Sequence, residues 1–390
     1  MQSGVVGATS AQSGATEGSE RAGDDRVTTI ELFFDLVFVF TITQLTTLLF
    51  RHPSGTGLGQ VAVLFGNLWW MYGGYAWLTN AVPPRRASQQ LLILCGMAGF
   101  LVVALAIPEA FSTTGVAFGV GYLVATLVHA GLFLESESES TVRAMVRLGP
   151  ANLVTAGIVL AGGFAHGDVR WILWASAAVL HWITPFVFNP SPIGLRPAHF
   201  VERHGLILLI ALGESAVAVA IGLRGSDLTA ARLASAILGL AISAALWWLY
   251  FDRDDRAAER ALASAPTSRR AWMALYAFGY GFLVVLGGIV VLASGIRLAA
   301  HTPTGIAAAA TAWFLAAGAS VYCIGLALLR AILGSGRPAS RLILGVVVLA
   351  SAAFGLGISA LAQLAAVAVI LVGGIVVTGA GERRFSRDRH

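Results

Sequence analysis

The feature that most limits this chain is the recurrence of apolar runs close to membrane-spanning length, separated by short segments that carry most of its charge. Hydrocarbon is roughly 30 Å thick, and at about 1.5 Å per residue a helix needs close to 20 apolar residues to cross it. Twelve runs approach that length: 31–50, 60–80, 89–107, 113–134, 148–165, 171–188, 203–223, 233–251, 271–294, 305–329, 342–358 and 361–380. Composition points the same way. Of 390 residues 57% are hydrophobic and only 12% charged, with a mean hydropathy of +0.79. A soluble domain carries roughly a quarter charged residues; a chain with so few could bury a core but could not cover it. The expected fold class is therefore all-α, a polytopic membrane helix bundle of about twelve transmembrane helices.

The charges set an expected sidedness. The net charge is +5, and all 25 basic residues are arginine. A basic balance can mark a nucleic-acid or anionic surface, but these arginines are dispersed over many short loops. Topology explains them better, so the lipid bilayer is the expected partner and no nucleic acid is. With the N-terminus in the cytoplasm, the inner segments hold 20 arginines and the outer loops 5: Arg51, Arg170, Arg224, Arg232 and Arg297. That bias is the positive-inside pattern. Joining 342–380 into one span would export Arg383, Arg384, Arg387 and Arg389, so two helices are expected there, divided near Gly355 and Gly357. The expectation is a multi-pass inner-membrane protein with both termini cytoplasmic. Residues 1–27 form a disordered tail without the apolar stretch of a signal peptide, and 381–390 form a basic tail. Cys95 and Cys323 both fall inside apolar runs, which speaks against a disulfide framework and a thiol metal site.

Twelve spans invite division into halves, 28–188 and 203–380, joined by a cytoplasmic linker at 189–202. The first span opens with Ile30-Glu31 and the seventh with Val201-Glu202. The second carries Trp69-Trp70-Met71-Tyr72 and the eighth Trp247-Trp248-Leu249-Tyr250. Six spans per half is an even number, so a six-plus-six repeat would be parallel rather than inverted.

Ionisable groups inside a span cost about 2.5–3.5 kcal/mol at the bilayer centre, so they mark candidate sites. Two spans hold most of them. In the first, Glu31 and Asp35 are four residues apart and share a helix face. Thr28-x-x-Glu31 also reads as a capping box, so capping and function both stand for Glu31. Asp35, flanked by Phe34 and Leu36, requires an interior partner or a proton. Gln44, nine residues on, projects from the opposite side. In the seventh, His199, Glu202, Arg203 and His204 cluster at the inner end, and Glu214 lies near the midplane. Glu214 is eleven residues, about 16 Å, beyond Arg203 and cannot touch it. Candidates to meet these acids are His129 and His181, with Asn67. Each also has a plain structural reading as a satisfied packing residue. The spacing of His199 and His204 does not match a helical zinc site, and no metal or other cofactor is expected. With no Walker A, nucleophile elbow or dinucleotide fingerprint, no enzyme is expected either. The Trp and Tyr residues at the inner ends of the eighth and ninth spans read as interfacial belts.

At these two segments the sequence resembles a known family. Glu31-Leu-Phe-Phe-Asp35-Leu-Val-Phe-Val-Phe40-Thr-Ile-Thr-Gln44 looks like the N-terminal signature of the bacterial low temperature requirement A (LtrA) family. Glu202-Arg203-His204-Gly205, followed by Ala211-Leu212-Gly213-Glu214-Ser215, is similar to its second signature. The resemblance covers residues 27–380. It implies a polytopic bacterial protein with a role in growth in the cold, and implies no particular reaction. Two functions follow as expectations. One is a secondary transporter or ion pathway that binds a proton, an ion or a small solute at Asp35 and Glu214, with 199–204 gating the inner mouth. The other is a membrane scaffold for cold adaptation whose polar residues only hold helices together. A lipid-acting intramembrane enzyme ranks behind both. The oligomeric state is not legible.

Overall fold

Helix boundaries follow local chemistry at the ends of the apolar runs. Thr28 and Glu31 form a reciprocal capping box that starts α1 (Thr29–Arg51), and Ser54 accepts the Gly57 N–H to start α2 (Gly55–Ala81). Thr229 does the same for α8 (Ala230–Phe251), accepting the Arg232 N–H. At the other extreme, α12 (Ala309–Leu333) ends on Gly334, whose φ of 65° is left-handed and suits glycine. The computed structural model describes residues 27–135, 139–188, 195–222 and 227–387. Side chains at 134, 139–141, 143–145, 214–216, 218–222 and 379–387 lie outside that description.

Between α2 and α8 run α3 (Ala87–Ala106), α4 (Gly115–Leu134), α5 (Glu139–Phe164), α6 (Gly167–Phe188) and α7 (Pro197–Gly222). After α8 come two short helices, α9 (Asp254–Ser264) and α10 (Thr267–Ala274). A π-helical segment, Leu275–Gly281, leads from α10 into α11 (Phe282–His301). The chain finishes with α12, α13 (Pro338–Leu349), α14 (Ala352–Gly357) and α15 (Ala360–Arg387). Every one of the twelve apolar runs falls on helix. The stretch 342–380 is broken at Ile358 and Ser359, where Ala360 and Leu361 donate to the carbonyls of Gly305 and Pro303, so it forms two candidate spans, the first made of α13 and α14.

Nine helical stretches among the described residues are long and apolar enough to cross a membrane. Of the other three expected spans, all helical, α2 falls short in hydropathy, and α6 and α7 run into side chains that lie outside the description. For α2 the cause is visible: Asn67, Tyr72, Tyr75, Thr79 and Asn80 are all buried, so its polarity is turned into the bundle. The chain is thus a multi-pass all-α membrane protein. On α1, Phe33 and Leu36 are exposed, whereas Phe34, Asp35 and Phe38 are buried. Lipid takes the apolar side chains and the protein interior takes the polar ones.

Packing centres on α1, which touches α2, α3, α7 and α11. Where helices approach most closely, small residues line the contact. A Cβ on Gly288 of α11 would lie 2.6 Å from the Tyr322 backbone nitrogen of α12. Residues 252–270 separate two apolar runs, and the spacing of charge there predicts a loop. The segment forms α9 instead, because Asp254, Ala258 and Leu262 recur every four residues and all three are buried.

Candidate functional site

Close to the N-terminal end of α1, four ionisable side chains converge that are at most 1% exposed: Glu31, Asp35, His199 and Arg203. Two come from α1 and two from α7. Glu31 and Asp35 share the inward face because they are one turn apart, and His199 and Arg203 do so for the same reason. Arg203 Nε and Nη2 both donate to Asp35 Oδ1, at 3.1 and 3.0 Å. Its Nη1 donates to Glu31 Oε1 at 3.3 Å and to the Thr79 hydroxyl of α2. The guanidinium stands over the rings of Phe34 and Tyr72, 5.6 Å from each centroid, a favourable place for a cation.

Glu31 is heavily satisfied. Oε2 accepts from the Thr28 backbone N–H at 2.9 Å and the Thr28 hydroxyl at 2.8 Å, and lies 3.2 Å from His199 Nε2. Capping and site membership are therefore both true of it. The state of His199 follows from Asn80. The Arg196 N–H donates to Asn80 Oδ1 at 2.9 Å, and Asn80 Nδ2 donates to the Arg196 carbonyl at 3.0 Å. Those bonds fix which end of the amide is which. Asn80 Nδ2 then donates to His199 Nδ1 at 3.2 Å, so Nδ1 is an acceptor and the proton sits on Nε2, facing Glu31.

The buried core of the network sets two carboxylates against one guanidinium and one imidazole. Arg196, half-buried, stands behind it with its guanidinium on the carbonyls of Thr79 and Asn80. Asp35 Oδ2 is buried with no hydrogen bond in place, and the buried Tyr72 hydroxyl stands close enough to interact with Asp35 and Arg203. A buried carboxylate oxygen in that condition is costly unless it meets a proton or a cation.

Other expected members lie elsewhere. Asp35 pairs with neither His129 nor His181, because Arg203 takes its place. His181 Nε2 lies 2.7 Å from the Tyr122 hydroxyl, and Nδ1 is 3.4 Å from the Thr155 hydroxyl. His129 is buried against the rings of Tyr75 and Phe133, with neither ring nitrogen hydrogen-bonded. Asn67 donates to the carbonyls of Val63 and Trp174. Gln44 is half-buried further along α1 and takes no part in the network. Glu214 falls within α7, but its side chain lies outside the described residues. His204 Nδ1 donates to the Phe200 carbonyl at 2.8 Å, inside a shell made by Trp69, Phe200, Phe278 and Phe282. Glu202 is exposed and lines a groove of about 330 Å³ with Leu206, Phe251, Asp255 and Glu259. Among the described residues no three His, Cys, Asp or Glu side chains converge as metal ligands; between Glu31 and Asp35 stands Arg203.

Thr79, Asn80 and Tyr72 were not picked out from the sequence. Thr79 and Asn80 had a usable signal as neighbouring polar residues late in a span. Tyr72 stood in the Trp-Trp-x-Tyr motif. Its counterpart Tyr250 was read as part of an interfacial belt, but it is fully buried, while Trp247 and Trp248 are exposed.

The comparisons agree with this architecture. The family described as Bacterial low temperature requirement A protein (LtrA) matches residues 26–376. Over 280 residues the chain is 31% identical to "Uncharacterized protein RA0937" of Rhizobium meliloti (strain 1021), covering 68% of this chain and 67% of that protein. No solved structure matches. The match takes in both helices that build the ion network, α1 and α7: the chain belongs to the bacterial low temperature requirement A family.

Proposed function

We propose that the protein is a secondary transporter or ion pathway in which the α1–α7 network binds a proton or another small cation. The observation that carries this reading is the lone Asp35 Oδ2, a carboxylate oxygen with no hydrogen bond in place, in a buried cluster of two carboxylates, one guanidinium and one imidazole. Uptake of one positive charge there would offset the carboxylate charge. It would also loosen the need for Arg203 to bridge α1 and α7, which gives a physical route from ion binding to relative movement of the two helices. The full topology belongs to the same proposal: twelve spans, both termini cytoplasmic, and two parallel halves. Helix pairing supports the division. As α1 packs on α2 and α3, α7 packs on α8 and α11; as α3 packs on α4, α11 packs on α12; and as α2 packs on α6, α8 packs on α15.

Reconstitution in liposomes tests it. Wild type is expected to dissipate an imposed pH, Na⁺ or K⁺ gradient, with or without added solutes, and Asp35→Asn to lose most of that flux. Flux from wild type no faster than from empty liposomes, across all gradients and a broad solute panel, sinks the proposal. The scaffold reading draws on a different observation, the four donors on Glu31. It predicts that Asp35→Asn supports growth in the cold as well as wild type does.

A further inference from the structure

A second buried charged cluster lies among α8, α9, α12 and α13. Arg330 Nε donates to both oxygens of Asp254, at 2.9 and 3.1 Å, and its Nη2 donates to Oδ1 at 2.7 Å. Arg330 Nη1 also reaches the Ser340 hydroxyl at 3.4 Å. A second guanidinium, Arg341, faces the same carboxylate from the first turn of α13. Its Nη2 donates to the Leu249 carbonyl at 2.8 Å and stands 3.5 Å from Asp254 Oδ2. Arg341 is 5% exposed, yet its Nε and Nη1 have no acceptor at all. Next to Leu249, the fully buried Tyr250 hydroxyl is also without a partner.

These are the features of a receptor for an anion. The unmet groups on Arg341 are N–H donors on an obligate cation, which neither a metal ion nor an apolar group could satisfy. Nε and Nη1 lie on different edges of the planar guanidinium, so an oxyanion meets one of them through a charge-assisted hydrogen bond rather than both as a fork. Tyr250 adds a hydroxyl from the neighbouring helix, and the Tyr322 hydroxyl of α12, held on the Leu246 carbonyl at 2.7 Å, ties the α8 wall in place. The cluster sits where α8 ends and α13 begins. Ends of spans lie at the level of lipid headgroups.

We propose that Arg341, assisted by Tyr250, forms a binding site for a phosphate-type oxyanion, either inorganic phosphate or the phosphodiester of an anionic lipid. The site is separate from the α1–α7 network and does not depend on a transport role. The full chain, purified in detergent and stripped of lipid, is titrated in parallel with inorganic phosphate and with phosphatidylglycerol. Thermal unfolding is followed for both, and native mass spectrometry counts retained lipid. Wild type is expected to gain thermal stability with at least one of the two. Arg341→Gln should bind about tenfold more weakly or worse, as loss of a charge-assisted hydrogen bond implies, and Arg341→Lys should recover only part of the loss. A response to phosphatidylglycerol alone assigns the site to a lipid headgroup, and a response to phosphate alone assigns it to a soluble anion. If Arg341→Gln fails to fold, Tyr250→Phe decides, since it removes one hydroxyl and little volume. No response in wild type, or equal responses in wild type and every folded variant, overturns the proposal.

Discussion

Arg203 meets Asp35 through two donors, Nε and Nη2, but both bonds end on the same oxygen, Oδ1, at 3.1 and 3.0 Å. A side-on pair would have used both carboxylate oxygens. The guanidinium presents its Nε–Nη2 edge to that one oxygen, while the third nitrogen, Nη1, goes to Glu31 and Thr79. One guanidinium thus serves two acids on neighbouring turns of α1 and leaves Oδ2 of the deeper acid with no hydrogen bond in place.

Removing Arg203 should be far worse than removing Asp35. Arg203→Gln leaves two buried carboxylates without their cation, and breaking such a pair costs about 3–5 kcal/mol. Asp35→Asn leaves Glu31 paired with Arg203 and should cost clearly less. The double variant should be more stable than the sum of the single losses predicts. Unfolding in detergent measures all three. A strictly additive result would show that Asp35 and Arg203 are not energetically coupled.

Tyr72→Phe should leave stability unchanged or slightly raised. The hydroxyl is fully buried and makes no hydrogen bond, so its removal relieves a desolvated polar group while keeping the ring under Arg203. A drop in melting temperature of several degrees would contradict the contact scheme drawn around Arg203.

Thr28→Ala should weaken the start of α1 by about 1 kcal/mol, the usual worth of an N-cap. Because the Thr28 hydroxyl also donates to Glu31 Oε2, the effect should shrink when combined with Glu31→Gln. Hydrogen exchange at the first turn of α1 reads both.

Gly288→Ala should destabilise the contact between α11 and α12. The added carbon would fall 2.6 Å from the Tyr322 nitrogen, and overpacking of this kind costs about 1–3 kcal/mol. Gly287→Ala, with open space at the same position of its side chain, is the matched control and should be tolerated.

Trp69→Phe should cost about 1–3 kcal/mol. The indole N–H donates at 2.7 Å to the Gly279 carbonyl within the π-helical segment, and truncation orphans a buried acceptor. The change should be read as greater exchange in Leu275–Gly281 than elsewhere in α11.

Much of this was legible before any tertiary structure. Transfer of apolar side chains into hydrocarbon is close to a residue-by-residue sum, so hydropathy located all twelve helical segments and the break after Gly357. The capping box at Thr28 and Glu31 was readable too, since its partners lie three residues apart and local spacing decides their bond. The cost of charge in a bilayer likewise singled out the first and seventh spans.

Pairing was not legible. Asp35 and Arg203 are separated by 168 residues, and nothing along either helix says which of Arg203, His129, His181 or Asn67 an interior acid will meet. Asp254 was hidden for the same reason: it follows a span in what reads as a charged loop, and only the return of α12 and α13 buries it between Arg330 and Arg341. Sequence by itself determined which segments must leave water and which side chains would be expensive there. Tertiary structure alone decided how those costs are met, because ion pairs and hydrogen bonds act over a few ångströms and depend on which helix faces are brought together.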